Sequence, residues 1–372
     1  MLQPESTQAG AQFMTLILSN EDAAELLTME DVIAALEPAY RNIAEGSAIA
    51  GARTDVVSVT PYDKEARYWL KAATGIVPEL EVGTVRINSD IVTWPQTDGK
   101  TRRVKAPLAP GARWTGLVLL FSARTGEPLA IFPDGVIQRM RVAGSTGLSI
   151  KHMAREDASV LGLLGTGWQA GAHLLAAAAV RPLTRVNCFS PTKANRQRFA
   201  AEMGEKTGIE VVAVDAARDA VRGADIVIAA TNSLDNIFFA DWLEPGMHVA
   251  TIRDGEFATD AIQRADVLAI HDPANMGDDH IHAPEGLTIP DLGKEIAAAP
   301  GFEAVLAAPR LADIVAGKAP GRTSPDQVSC FLNYHGLGFQ FTATGAAFYQ
   351  KALAEGRGHD LPSTWFTEDV HP

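Results

Sequence analysis

The apolar positions of this chain change period as it is read. From Asn20 to Gly46 they recur at helical spacing: Asn20 is the expected cap of EDAAELLTM, and MEDVIAALEPAYRNIAEG carries a second apolar face up to Gly46. GARTDVVSVTP, with Arg53, and ARYWLKAATGIV, with Lys71, then predict two strands. Glu79 to Pro110 is polar, broken by Pro95, Pro107 and Pro110, and holds the basic run Lys100 to Arg103 followed by Lys105; it predicts an excursion of solvated surface. GLVLLFSARTGEPLAIF predicts an antiparallel hairpin turning at Ala123 to Glu127, and GVIQRMRVAGSTGLSIKHMA a long helix with Arg139 and Arg141, which would connect two domains. Beyond it the pattern becomes one of short buried runs: Val160 to Leu164, RVNCF, IEVVAV, ADIVIAAT, HVATI and DVLAIHD. With AARDAVRG as an intervening helix, these predict a doubly wound parallel sheet. RLADIVAGK reads as a short helix, and VSCFLNYHGLGFQFTATGAAFYQKALAEG as a strand or loop leading into a final helix that returns to the first domain.

The turn after Val160 to Leu164 carries the first chemistry. Gly165, Thr166, Gly167, Trp168, Gln169 and Ala170 form a GxGxx(G/A) pattern between a strand and an alanine-rich helix, the context expected of a dinucleotide site. Gly165 allows a tight turn, Gly167 lets a pyrophosphate approach the backbone, and Ala170 lets the helix pack close to the strand. The stretch between Asp157 and Arg181 has no charged residue, but two glycines, Thr166, Gln169 and His173 in its middle speak against a membrane span. After RVNCF, where an NAD site usually places an acid, stand Ser190, Pro191, Thr192, Lys193 and Arg196, a set suited to a 2'-phosphate; NADP is favoured over NAD. Thr231 and Asn232 end a strand and are cofactor candidates, although turn formation explains the asparagine equally well.

Composition narrows the class. The 372 residues, 47% hydrophobic and 21% charged, suffice for two full cores, and a net charge of -13 argues against nucleic-acid binding through a general basic surface. Cys188 and Cys330 lack CxxC spacing, so neither a disulfide framework nor a zinc site is implied. His271, Asp272, Asp278, Asp279, His280 and His282 follow no ligand rule and predict a loop, with no metal. MLQPESTQAGAQF has no basic region before an apolar core, which leaves the cytoplasm as the expected location. Lys71 stands inside an apolar strand; its ammonium either snorkels to the strand end or serves an anion or catalytic site, and spacing does not separate the two.

Over roughly residues 20 to 358 the chain resembles the ornithine cyclodeaminase and mu-crystallin family. GLVLLFSARTGEPLAIFPDG, VLGLLGTGWQAGAHL, SPTKANRQRFA, AATNS, WLEPGMHVATI, and LADIVAGKAPGR before HGLGFQF carry the resemblance, in that order. It implies an α/β homodimer: an α+β substrate-binding and dimerisation domain at 1–142 and 323–372, and a Rossmann-type doubly wound domain at 143–322. It further implies that Arg53 binds the substrate carboxylate, that Lys71 is the active-site lysine, and that Arg141, here in RVAG, lies between cofactor phosphate and substrate carboxylate.

Three departures bear on substrate. The family's amine-binding aspartate corresponds to Asp254 of HVATIRDGE, displaced by one place and beside Arg253; Val142 replaces a threonine; and Gln340 and Phe341 replace an acidic segment. Arg253, and Arg86 in the strand-like VGTVRI, disfavour a distal ammonium and favour an acidic or neutral substrate. The expected activity is NAD(P)-dependent oxidoreduction at the C–N bond of an amino or imino acid, with Lys71 moving the proton, Arg53 and Arg141 fixing the carboxylate, and Arg86 among the substrate-binding residues. The rivals are a cyclodeaminase with internally recycled NAD, in which Asp254 orients the amine, and a non-catalytic NAD(P)-binding protein.

Overall fold

The computed structural model describes residues 13–97, 100–273, 280–290 and 302–370. The N-terminal stretch read for a signal, up to Ala11 and Gln12, lies outside them, as do Asp278 and Asp279 of the histidine and aspartate cluster.

Two helices follow the Met14–Ile17 strand. Ser19, not Asn20, caps the first (Asn20–Leu26) in a capping box with Asp22, and Thr28 caps the second (Met29–Glu45) with Asp31. Asn20 is displaced from the cap because its Oδ1 accepts from the Val136 N–H, tying this helix to the one at Asp134–Met153.

The first sheet has ten strands among the described residues. Its main path runs Ile281–His282, Thr54–Val59, Arg67–Val77, Val82–Thr93, Thr115–Ser122, Pro128–Pro133, Met14–Ile17 and His359–Pro362. Thr115–Ser122 and Pro128–Pro133 are the expected hairpin. The helices Met29–Glu45, Asp134–Met153 and Gly338–Glu355 pack together against one side, burying Leu36, Tyr40, Phe132, Ile137, Phe339 and Phe348 in a common core. The other side presents Ile49, Val56, Leu70, Ile76 and Leu117, all exposed, with Ile49 opposite Ile76 and Val56 opposite Leu70.

One expectation fails here. Val82–Thr93, placed by its polarity in a surface excursion, is a twelve-residue strand at the centre of this sheet, paired along its length with Arg67–Val77 and Thr115–Ser122. The physical reason is an inverted alternation. Its buried face holds Thr84, Arg86, Asn88 and Asp90, while Val85, Ile87 and Ile91 face the more open side. The true excursion begins at Trp94. It makes a small hairpin, Gln96–Thr97 with Lys100–Thr101, and returns as Val104–Ala106 antiparallel to Ile91–Thr93.

The second sheet is parallel throughout, in the spatial order Glu210–Ala213, Arg185–Phe189, Val160–Leu164, Ile226–Ala229, His248–Thr251, Ser329–Leu332 and Val267–Ile270. The order reverses between Val160–Leu164 and Ile226–Ala229, so a crevice opens beyond their C-terminal ends at Gly165 and Thr231. Two strands cross the divide expected near residue 322. Ser329–Leu332 lies inside this second sheet, and Ile281–His282 pairs in parallel with Asp55 and Val56 of the first.

Candidate active site

Three neighbouring strands supply one wall. Asp55 stands opposite Lys71, Lys71 opposite Asn88, and Ala73 opposite Arg86, so the period of two places Asp55, Lys71, Arg86, Asn88 and Asp90 on the same buried face. Asp55, Lys71, Arg86 and Asn88 open into a cavity of about 500 Å³ that is also lined by Arg53, Arg141, Tyr334, His335 and Phe341, with Asp90 in the wall beside Lys71. Thr231, Ile252, Arg253 and Asp254, from the C-terminal ends of the parallel strands, line it from the opposite side. The structure therefore brings Arg53, Lys71, Arg86, Arg141, Thr231 and Asp254 around one space. Asn232 is outside that lining, and its Oδ1 accepts from Arg102 Nη1 at 2.9 Å.

Lys71 is the most perturbed group of this wall. Its Nζ lies 3.7 Å from Asp90 Oδ2 and 5.1 Å from the centre of the Trp69 ring. Burial, followed by the charges of Lys105, Arg103 and Arg53, holds its pKa well below the ordinary lysine value, with Asp90 pulling the other way. Arg53 forks onto Asp55 at 2.7 and 2.6 Å, and Trp69 Nε1 donates to the same carboxylate. Burial opposes ionisation of Asp55, but these partners, Arg53 foremost, keep its carboxyl below the usual range.

Arg141 projects from the middle of the Asp134–Met153 helix into the same space. Its Nη1 donates to Gln340 Oε1 at 3.0 Å, and its guanidinium sits 4.7 Å from the centre of the Phe341 ring. Gln340 is fixed in turn: its Nε2 donates to Tyr40 Oη and Ser145 Oγ, and its Oε1 accepts the Leu337 N–H. Burial first, then Arg86, pushes the Arg141 pKa down to about 9, so it stays cationic at neutral pH in a setting that rewards a bound anion. Gln340 and Phe341, conspicuous in the sequence only as departures, hold this guanidinium without neutralising it. Arg86 differs: it donates from Nε to Asp134 Oδ2 at 2.8 Å and from Nη2 to Asn88, so much of its charge is answered within the wall.

The nucleotide turn fits its expected cargo. Gly165 has φ +114, and a Cβ there would meet the Ala230 carbonyl oxygen at 2.3 Å, so only glycine makes this turn. At Gly167 nothing lies within 4 Å of where a Cβ would stand, which leaves an open cradle in front of the helix Trp168–Val180. That helix has no side-chain cap, so its first N–H groups face the cradle. Among the described residues, Gln169 Oε1 and Arg139 Nε are buried beside this turn without a hydrogen-bond partner, and Arg139 stacks 4.7 Å from the Trp168 ring centre. Thr166 Oγ1 donates to Ser190 Oγ, bridging the turn to the next strand end. Thr192 precedes the following helix, and Lys193 is exposed at its start. Arg196 is engaged with the Ser190 and Pro191 carbonyls and with Asp215 at 2.5 Å, so it braces the loop. Thr231 is braced likewise by Glu256, a buried carboxylate that also receives Thr251.

Sequence reasoning missed several residues of this site. Arg103 and Lys105, assigned to solvated surface, line the cavity; Asp90, Gln138, His280 and His335 belong to it or its edge. The i, i+2 spacing of Arg103 and Lys105 next to a strand is the signal that could have found them. Among the described residues no group of histidines, cysteines or carboxylates could hold a metal ion, and no helix is long and apolar enough to cross a membrane.

A Rossmann turn with an open cradle, facing a cavity that holds a buried lysine among arginines, defines the class of dinucleotide-dependent oxidoreductases acting on imino and amino acids. Residues 103–356 match the ornithine cyclodeaminase/mu-crystallin family, and the chain belongs to it. A Δ1-pyrroline-2-carboxylate reductase of Bacillus cereus is 26% identical over 355 residues, covering 93% of this chain and 99% of the relative. Among solved structures, Thermococcus litoralis Δ1-pyrroline-2-carboxylate reductase with NADH and L-proline superposes with a TM-score of 0.76 at 24% identity, covering 93% of this chain and all of that one. An archaeal alanine dehydrogenase dimer with bound NAD gives 0.74 at 22% identity, covering 94% and 99%.

Proposed function

We propose that the protein catalyses NAD(P)-linked interconversion of an imino acid and the corresponding amino acid. The observation that carries this reading is Lys71: an amine buried among cationic side chains, in a cavity whose opposite side is the ligand crevice of a parallel sheet. The relatives named as imino-acid reductases support it.

A nicotinamide held in the crevice beside Thr231 would supply or accept the hydride at the substrate Cα. Arg53 and Arg141 hold the α-carboxylate, and Arg86, anchored by Asp134, adds positive field from the wall. Lys71 gives a proton to the imine nitrogen, which makes the adjacent carbon electrophilic, and takes it back from the amine in the reverse direction. A carboxylate arriving beside Lys71 favours its protonated form, so proton supply is coupled to binding. Asp254 is assigned to the nitrogen side of the substrate, as a positioning partner for the amine.

Gly165, Thr166, Gly167, Trp168, Gln169 and Ala170 would hold the pyrophosphate, with Arg139 at the rim, and Thr231 with Asn232 the nicotinamide side. Ser190, Thr192 and Lys193 favour NADP through the 2'-phosphate, while Arg196 shapes their loop. The exposed apolar side of the first sheet is assigned to a homodimer interface, and the free, buried Cys188 and Cys330 suit the reducing cytoplasm.

The test is absorbance at the nicotinamide band with NADPH or NADH, cyclic imino acids, and 2-oxo acids with ammonia or methylamine. Cofactor oxidation with one of these classes is expected. Ammonia release from a diamino acid without net change in absorbance would replace this reading with a cyclodeaminase using Asp254; the cationic lining opposes that reaction's distal ammonium.

A further inference from the structure

The excursion that follows the Val82–Thr93 strand comes back as a strap across the active-site wall. Val104–Ala106 pairs antiparallel with Ile91–Thr93, and Lys105 stands opposite Val92. Val92 shares its face with Asn88 and Asp90, so Lys105 is turned onto the buried face from which Lys71 projects. The strap is held at several points. Trp114 Nε1 donates to the Lys105 carbonyl at 2.9 Å, the Arg103 guanidinium stacks 4.2 Å from the centre of the Trp69 ring, and Arg102 bonds Asn232 at the end of a Rossmann strand. Lys105 therefore has a fixed place, although its side chain is still 37% exposed.

What it meets there is a carboxylate in an unusual position. The Asp90 side chain is 1% exposed, and among the described residues neither of its oxygens has a hydrogen-bond partner. Buried carboxylates are ordinarily held by N–H or O–H donors. Asp90 has two lysines instead, and both come to the same oxygen: Lys105 Nζ lies 2.8 Å from Asp90 Oδ2 and Lys71 Nζ 3.7 Å from it. The nearer, partly exposed lysine holds the carboxylate, and the farther, buried one is left with a partial counter-ion. Other charged groups face Lys71 from every side. The Thr54–Val59 strand brings Asp55, forked by Arg53, and the Val82–Thr93 strand brings Arg86, tied to Asp134. Arg141 comes from the Asp134–Met153 helix, Arg103 from the strap, Arg253 and Asp254 from across the cavity, and His280 and His335 from its edge. Among the described residues Asp90 is the carboxylate within ion-pair distance of Lys71 Nζ. After burial, Lys105 is the strongest of the influences that hold the Lys71 pKa down, and Asp90 pulls it up.

We infer that Lys105 is a positioning residue for the proton chemistry of Lys71: by taking the nearer share of the Asp90 carboxylate, it keeps Lys71 out of a closed ion pair and leaves its proton free to pass to and from the substrate nitrogen. This rests on the reading of Lys71 as the proton carrier. Alone beside Asp90, Lys71 would form a buried pair in which the ammonium is a fixed cation and a poor donor at neutral pH. With Lys105 present and Asp90 gone, two like charges would face each other and Lys71 would lose its proton too readily. The carboxylate shared between the two lysines sets the balance.

The pH dependence of imine reduction tests this. In Lys105→Met, Lys71 has Asp90 to itself and loses a like charge, so the pH at which reduction falls away should rise by roughly one unit or more. In Asp90→Asn, Lys71 keeps the like charge and loses the carboxylate, so the same limb should move down by about as much. Lys105→Arg, which keeps the cation, should hold the limb within about half a unit of the wild type. Competitive labelling of the Lys71 amine with acetic anhydride, read by peptide mass spectrometry over the same pH range, follows its protonation without turnover and should shift in the same two directions. A lysine that only fills the wall would lower the melting temperature of Lys105→Met and leave both profiles in place. That result, or limbs that move the same way in Lys105→Met and Asp90→Asn, would overturn the inference while the imino-acid reading stands. Opposite labelling shifts in a protein that turns over no imino acid would sink that reading and keep the coupling of the three residues.

Discussion

Gly336 keeps the space in which Arg141 works: a Cβ at residue 336 would stand 1.5 Å from Arg141 Nη1. The atom it meets is the tip of a flexible side chain, so alanine there would be accommodated by moving the guanidinium. Folding would suffer little, but the carboxylate clamp would lose its register. Gly336→Ala is expected to lower kcat/KM about 100-fold, as misplacement of a positioning group by an ångström does. The melting temperature should stay within a few degrees. An equal loss of both would show that the glycine serves packing instead.

Lys71 links turnover to pH in a direction fixed by its surroundings. Its depressed pKa means that reduction, which needs the ammonium, weakens as pH rises through that value, whereas oxidation, which needs the free amine, strengthens. Lys71→Met should cost about 10²- to 10⁴-fold in kcat and abolish both limbs of the profile, with nucleotide binding retained. Stability obeys the same linkage. Between the lowered pKa and the ordinary lysine value the unfolded chain holds a proton that the fold does not, so stability rises with pH through that window, by at most about 1.4 kcal/mol per unit. Denaturant melts of Lys71→Met across the same range should lack that rise.

Cofactor choice is read out at the loop after Arg185–Phe189. Arg196 is committed to the Ser190 and Pro191 carbonyls and to Asp215, which leaves exposed Lys193 as the cation for a 2'-phosphate. Lys193→Ala should raise the KM for NADPH by about 10-fold, the value of one charge-assisted contact, and leave that for NADH unchanged. A parallel change in both would count against the proposed NADP preference.

The open side of the first sheet gives a prediction about assembly. Val56 and Leu70 stand opposite each other there, both exposed, with Ile76, Ile49 and Leu117 on the same side. Leu70→Glu should convert a dimer to monomers in analytical ultracentrifugation, because a carboxylate in the middle of an apolar contact loses its water without gaining a partner. Wild-type protein that sediments as a monomer would remove the interface assignment at once.

How much of this was legible in the sequence depended on which face of each element was apolar. The parallel sheet announced itself because its strands are buried on both sides, and Val160–Leu164, Ile226–Ala229 and His248–Thr251 read as nearly unbroken apolar runs. Lys71 stood out as a charge inside an otherwise apolar strand, whereas the roles of Arg53 and Arg141 came from the resemblance to the family. Only VGTVRI, at the start of the Val82–Thr93 strand, read as strand-like, and the rest was lost for the opposite reason: its inner face is the active-site wall, and Arg86, Asn88 and Asp90 imitate a surface pattern. Arg103 and Lys105 disappeared into the same misreading. The roles of Gln340 and Gly336 could not be read locally, because each acts on Arg141 from nearly two hundred residues away.

The place of Ser329–Leu332 has a consequence for biosynthesis. This strand is made after the other strands of its sheet, yet it fills the gap between His248–Thr251 and Val267–Ile270. Until it arrives, each of those strands presents an unpaired edge, and the nucleotide half cannot close as its residues leave the ribosome. Completion of the Rossmann sheet and delivery of the Gly338–Glu355 helix to the first half are then nearly simultaneous events. The two halves mature together, and a nascent chain able to hold nucleotide without the rest of its active site is a short-lived species.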